Sequence, residues 1–121
     1  MKFALFSKTF SSLEPSELGM LAVLAGYDGV DLCVRDGHPV TLKNAATALA
    51  DAADAIRRVG ADVLMVSLPT NMIDATSSEA ETIIAAAGAC GIELIKPGYI
   101  LIDPKQPMPL QWQQARAHVA G

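Results

Sequence analysis

The sequence predicts a parallel α/β fold of four consecutive βα units, half of an eight-unit (β/α)8 TIM barrel. Three observations carry this expectation. Short, dense apolar runs alternate four times with apolar residues at helical spacing. The runs begin near positions 3, 29, 62 and 92, at intervals of 26, 33 and 30 residues, close to the ~30 residues of a strand-crossover-strand unit. The chain has 121 residues, whereas a closed barrel takes about 250. Strict alternation forces a parallel sheet, which a barrel segment and an open doubly wound sheet both satisfy. Periodicity alone does not separate the two. Residues 1–121 are read as a single domain.

Phe3 to Phe6 is a compact apolar run ended by Ser7 and Lys8, as expected of a strand buried on both faces. Leu18, Leu21, Ala22 and Ala25 then recur at i, i+3, i+4 and i+7, with Pro15 at a first helical position and Gly26 as the stop. The second strand is Gly29 to Val34. Its alternation sets Val30, Leu32 and Val34 on one face and Asp31, Cys33 and Arg35 on the other. Its helix carries Leu42, Ala45, Ala46, Leu49, Ala53 and Ile56. Arg57 and Arg58 suit the negative helix end, and Gly60 closes it.

Asp62 to Leu68 supplies the third strand, and Pro69 to Ser77 a polar loop. Ser78-Glu79-Ala80-Glu81 has the form of a capping box, in which the Ser and Glu side chains each bond the other's backbone N–H. That helix is expected to run to about Ala89 and end near Gly91. A fourth strand, Ile92 to Lys96, is stopped by Pro97-Gly98, and Pro109 marks the start of a fourth helix.

Composition narrows the function. Hydrophobic residues make up 51% of the chain, and nine Lys and Arg against 13 Asp and Glu give a net charge of -4. No basic stripe tracks a phosphate backbone, so nucleic acid is not an expected partner. The longest apolar stretch, Ile83 to Ile92, is far shorter than the ~18 residues of a membrane span, so neither a membrane partner nor a membrane location is expected. Cys33 and Cys90 form no C-x-x-C pair and are expected to be buried thiols. A cytoplasmic location follows as the default expectation.

Active sites of parallel α/β folds gather where strands end. Lys8, Arg35, His38, Lys96 and Tyr99 all fall there. Lys8, Arg35 and Lys96 follow strands one, two and four, so three cations converge on one mouth if the fold is right, a setting for an anionic or polyhydroxyl ligand. Solvated surface cations are the bland alternative. His38 lies in the turn Gly37-His38-Pro39, while His118 has no partner at ligand spacing, and no H-E-x-x-H occurs. Asp31 points to the side opposite Val30 and Leu32. An ion pair with a strand cation is its expected environment, and an acid-base role the sharper alternative. Ser7, Ser67 and Thr70 also follow strands, without a G-x-S-x-G elbow, and no G-x-G-x-x-G or Walker loop is present.

Phe6-Ser7-Lys8-Thr9-Phe10, Gly26-Tyr27-Asp28-Gly29-Val30-Asp31-Leu32 with Val34-Arg35 and Gly37-His38, and Gly91-Ile92 leading to Lys96-Pro97-Gly98-Tyr99 span nearly the whole chain. In these pieces and their order the sequence resembles the sugar phosphate isomerase/epimerases of the xylose-isomerase-like barrel superfamily. The resemblance implies a divalent-metal enzyme (Mn, Mg, Co or Zn) acting next to a sugar carbonyl on a sugar or sugar phosphate. Its metal ligands come from later strands than these four. Only substrate-side contacts carry over, at Lys8, Arg35, His38, Lys96 and Tyr99. No catalytic residue or metal ligand is assigned, and this chain alone is expected to be inactive and to bind no cofactor.

A four-stranded half-barrel has two open edges and an uncovered inner face. The missing barrel half or self-association is expected to cover them. A non-catalytic, self-associating half-barrel and a flavodoxin-like binding module are the alternative readings of function.

Overall fold

The computed structural model describes residues 1–120, with side chains described through residue 118. Strands β1 (Ala4–Phe6), β2 (Gly29–Cys33), β3 (Val63–Ser67) and β4 (Ile95–Lys96) alternate with helices α1 (Pro15–Leu24), α2 (Ala45–Arg58), α3 (Ser78–Ala89) and α4 (Met108–Ala120). The strands form one sheet in the order β1-β2-β3-β4, and every neighbouring pair is parallel. A doubly wound sheet reverses its strand order at a switch point. Here each strand lies beside its predecessor in sequence, as in a barrel wall.

Right-handed crossovers that all step in one direction leave their helices on one face of the sheet. Accordingly α1 packs on α2 and α2 on α3. Between helices and sheet lie Leu18, Ala22, Val30, Leu32, Leu49, Ala53, Ile56, Val66 and Ile83, all buried. The strand residues alternating with these, Phe6, Asp31, Cys33, Met65, Ser67 and Lys96, belong to the opposite face. An irregularity between Val30 and Asp31 shifts the register, so that Val30 faces Val63 while Asp31 faces Met65.

Local chemistry sets the boundaries. Pro15 begins α1, and Glu14 and Glu17 form a capping box there, each carboxylate accepting from the other's backbone N–H. The cap of α3 is Ser77, whose Oγ accepts from the Ala80 N–H at 3.2 Å. The cap thus falls one residue before the expected Ser78, because Ser77 is the residue with extended backbone at the helix start, and Ala80 in the third helical position leaves no reciprocal box. Gly60 and Gly91, at φ 93° and 70°, adopt the left-handed turn after α2 and α3 that a side chain would oppose.

Other expectations are corrected in detail. β1 begins at Ala4 rather than Phe3, and β4 is only Ile95–Lys96, the stretch between exposed Glu93-Leu94 and Pro97. Ala25 and Ala46 are exposed, since the apolar stripe of a helix reaches only residues facing the sheet or the next helix. Cys33 is buried but Cys90, at the cap of α3, only half so. Arg57 does more than meet the helix dipole: its Nε pairs with Asp62 Oδ1 at 2.8 Å and its Nη2 donates to the Cys90 carbonyl at 2.9 Å. That side chain ties the end of α2 to the turns before β3 and after α3.

Candidate anion-binding rim

At the carboxyl ends of the strands, the face opposite the helices carries a polar cluster. Asp31 is 6% exposed. The Ser67 hydroxyl, its diagonal neighbour on β3, donates to Asp31 Oδ2 at 3.0 Å. The ion pair expected for Asp31 is absent among the described residues, where Arg57–Asp62 is the salt bridge formed. A neutral hydroxyl stands in its place because both nearby cations are drawn to other partners. Asp31 Oδ1 is buried with no hydrogen-bond partner. Burial pushes the carboxyl above its usual range, against the hydrogen bond from Ser67 and the charges of Lys96 and Arg35.

Beside it, a short 3-10 turn at Ser7–Thr9 follows β1 and buries Ser7. Its Oγ accepts from the Cys33 N–H at 2.9 Å, fixing the end of β1 against the end of β2. Burial raises the Cys33 thiol, with the Ser7 contact and the Arg35 charge acting the other way. Such a thiol is a packing group rather than a nucleophile.

Arg35 follows β2 and crosses to β3, where its Nη2 donates to the Leu68 carbonyl at 3.3 Å while its Nε is buried without a partner. The Arg35 carbonyl accepts from the His38 N–H at 3.2 Å, closing the turn that holds the imidazole near the guanidinium. Burial, then the Arg35 charge, lowers the His38 pKa, which favours the neutral ring.

Lys96 ends β4. Its Nζ lies 2.6 Å from Tyr99 Oη, 4.8 Å from the Tyr99 ring centroid and 5.4 Å from that of Phe6 on β1. The hydrogen bond from Lys96, then its charge, draws the exposed Tyr99 phenol below the ordinary tyrosine range, with Lys8 and Arg35 adding to the effect. The turn holding Tyr99 is pinned to the loop after β3: Gly98 N–H donates to the Met72 carbonyl at 2.7 Å and Tyr99 N–H to that of Thr70 at 2.9 Å. A Cβ at Gly98 would run into the Thr70 and Pro69 carbonyls, so this close approach needs glycine.

The five residues singled out from sequence thus occupy the ends of β1, β2 and β4 and the turns beside them. Lys8, Arg35 and Lys96 each lie within electrostatic reach of Tyr99, and His38 adjoins Arg35. Sequence reasoning named Ser67 only as a residue that follows a strand, and passed over Phe6. Ser67 carried a signal, because alternation from Val66 sets it on the face of Asp31. Phe6, a platform for Lys96, carried none, since its contact depends on how the sheet curls.

Together these groups can hold an oxyanion or polyol between guanidinium, ammonium and phenol, with the buried Asp31 carboxyl beneath. Among the described residues no three His, Cys, Asp or Glu side chains gather to hold a metal ion. No described helix is long and apolar enough to cross a membrane. Comparison with protein-family models, curated proteins and solved structures yields no match to this chain.

Proposed function

We propose that this chain is the substrate-side half of a sugar or sugar phosphate isomerase/epimerase-like barrel, whose divalent metal and metal ligands lie outside these residues. The observation that carries the reading is the placement of Lys8, Arg35 and Lys96 around Tyr99 at one rim, with Arg35 and Lys96 also near the buried Asp31. Three cations about one exposed phenol suit a ligand with both negative charge and hydroxyl groups. The cations take the charge, and the exposed Tyr99 hydroxyl pairs with a ligand hydroxyl. His38, favoured in its neutral form, offers a further donor or acceptor at the margin. No acid-base step is assigned to this chain, and isolated it turns over no substrate. Its two free cysteines fit a reducing, cytoplasmic setting.

Calorimetric titration of the chain with a hexose phosphate, the parent neutral hexose and inorganic phosphate tests this reading. The expected order of affinity is hexose phosphate, then phosphate, then hexose. Arg35→Met and Lys96→Met should each weaken hexose phosphate binding at least tenfold, the ~1.4 kcal/mol or more of a lost charge-assisted bond. Equal affinity for charged and neutral sugars would overturn it.

A further inference from the structure

We infer that, where no metal-bearing half occupies its edges, two copies of this chain associate by a two-fold axis into a closed eight-stranded barrel, β4 of each copy pairing with β1 of the other. The first argument is area. The chain exposes 7409 Å², whereas a compact monomer of 12.7 kDa exposes about 6,200 Å². The surplus, about 1,200 Å², exceeds the roughly 800 Å² that each partner buries in a stable complex.

The second argument is where the apolar surface lies. Gly19 of α1 abuts Ile56 and Val59, which marks the side of α1 facing α2. Leu24 and Met20, away from that side, are 82% and 52% exposed. At the other end of the sheet Leu101, Ile102 and Trp112, which follow β4, are also exposed. Both flanks of the sheet are therefore greasy, and an occupant that covers one flank leaves the other bare.

The third argument is symmetry. β1 and β4 are both edge strands of one parallel, sequentially ordered sheet. A two-fold axis sets β1 of each copy beside β4 of the other, which makes two identical parallel seams and leaves no free edge. Eight strands are the number of a filled barrel. The curl that brings Lys96 of β4 over Phe6 of β1 is already in the sense of closure. A second copy is thus an occupant that satisfies both edges and both flanks at once.

Sedimentation equilibrium of the 121-residue chain in phosphate-free buffer is the test. A single species at twice 12.7 kDa is expected. A species at 12.7 kDa at all accessible concentrations, or an open-ended ladder of larger masses, would overturn the closed dimer. Leu24→Lys and Leu101→Lys, at exposed positions, should each shift the dissociation constant at least tenfold toward monomer with unchanged circular dichroism; no shift refutes the flank assignment. Hydrogen exchange provides a readout without mutation: amides of Ala4–Phe6 and Ile95–Lys96 should exchange more slowly as concentration rises, and unchanged rates count against the seams. Because no sugar or phosphate is present, failure of the anion reading leaves this outcome untouched.

Discussion

Lys96 on β4 lies over the ring of Phe6 on β1, its Nζ 5.4 Å from the centroid, although β2 and β3 separate the two strands. Three interstrand spacings put the edge strands of a flat sheet about 14 Å apart, and side chains stand roughly perpendicular to the strands. The contact is that of a sheet curled toward its open face. It also stations an ammonium between two aromatic rings, a geometry that holds the cation without neutralising it.

The Lys96–Tyr99 pair should be visible in ultraviolet titration. In a Tyr27→Phe background, which leaves Tyr99 as the single tyrosine, the phenol should ionise below the usual tyrosine range. Lys96→Met removes the hydrogen bond and charge that cause the shift and should move the transition upward. An unchanged transition would mean that the pair does not persist in solution.

Asp31 should make stability depend on pH in the sense opposite to a salt-bridged carboxylate. Burial raises its pKa in the folded state, so the fold binds that proton more tightly than the unfolded chain does. Its contribution is most favourable when protonated and is lost as pH rises from the ordinary carboxylate value through the raised one. Asp31→Asn, neutral throughout, should flatten that fall and raise stability at pH 7 by about 1 kcal/mol, the scale of an unsatisfied buried polar group. Urea unfolding of both proteins across pH measures it; a wild type that gains stability relative to Asp31→Asn over that window contradicts the assignment.

Gly98→Ala should act on the rim and on stability together. The added methyl meets the backbone carbonyls of Pro69 and Thr70 rather than a side chain able to turn aside. A loss of about 1–3 kcal/mol is expected, with the Tyr99 transition displaced toward its ordinary value. Chemical denaturation followed by phenol titration of the same sample gives both readings.

Leu49→Ala tests the helix-sheet core. Leu49 is fully buried on α2 among Val30, Leu32, Ile83 and their neighbours. Its removal should cost about 3 kcal/mol, read as a lower urea midpoint at unchanged slope. Hexose phosphate affinity, extrapolated to the fully folded population, should remain that of the wild type, since the core and the rim lie on opposite faces of the sheet.

The units and their order were legible because the signals are local: alternation in β2, Pro15 before α1, and the glycines after α1, α2 and α3 each act within a few residues. Barrel-like order came from chain length and the family resemblance rather than from periodicity, since nothing in one segment says which side of its predecessor the next strand will take. The same division runs through the rim. Positions at strand ends located Lys8, Arg35 and Lys96, and alternation located Asp31. Its partner was misread because burial argues for compensation without specifying a cation. Ser67 supplies a hydroxyl across the ladder, while Arg35 spends its Nη2 on Leu68 O and Lys96 meets Tyr99. Ser77 and Ser78 are adjacent candidates for one cap, and the backbone dihedral that chooses between them is not written in either side chain.

The strand order bears on how the chain reaches its fold. Because each strand docks only on the one before it, no strand has to wait for a later partner or insert between two already paired. The crossovers span about 30 residues each, so every pairing closes a short loop and none closes a long one. Assembly can therefore proceed vectorially from the amino terminus, each βα unit adding to a template formed moments earlier. In such a sequence the most recently added strand is always the exposed one, and the two-residue length of β4 keeps that growing edge brief.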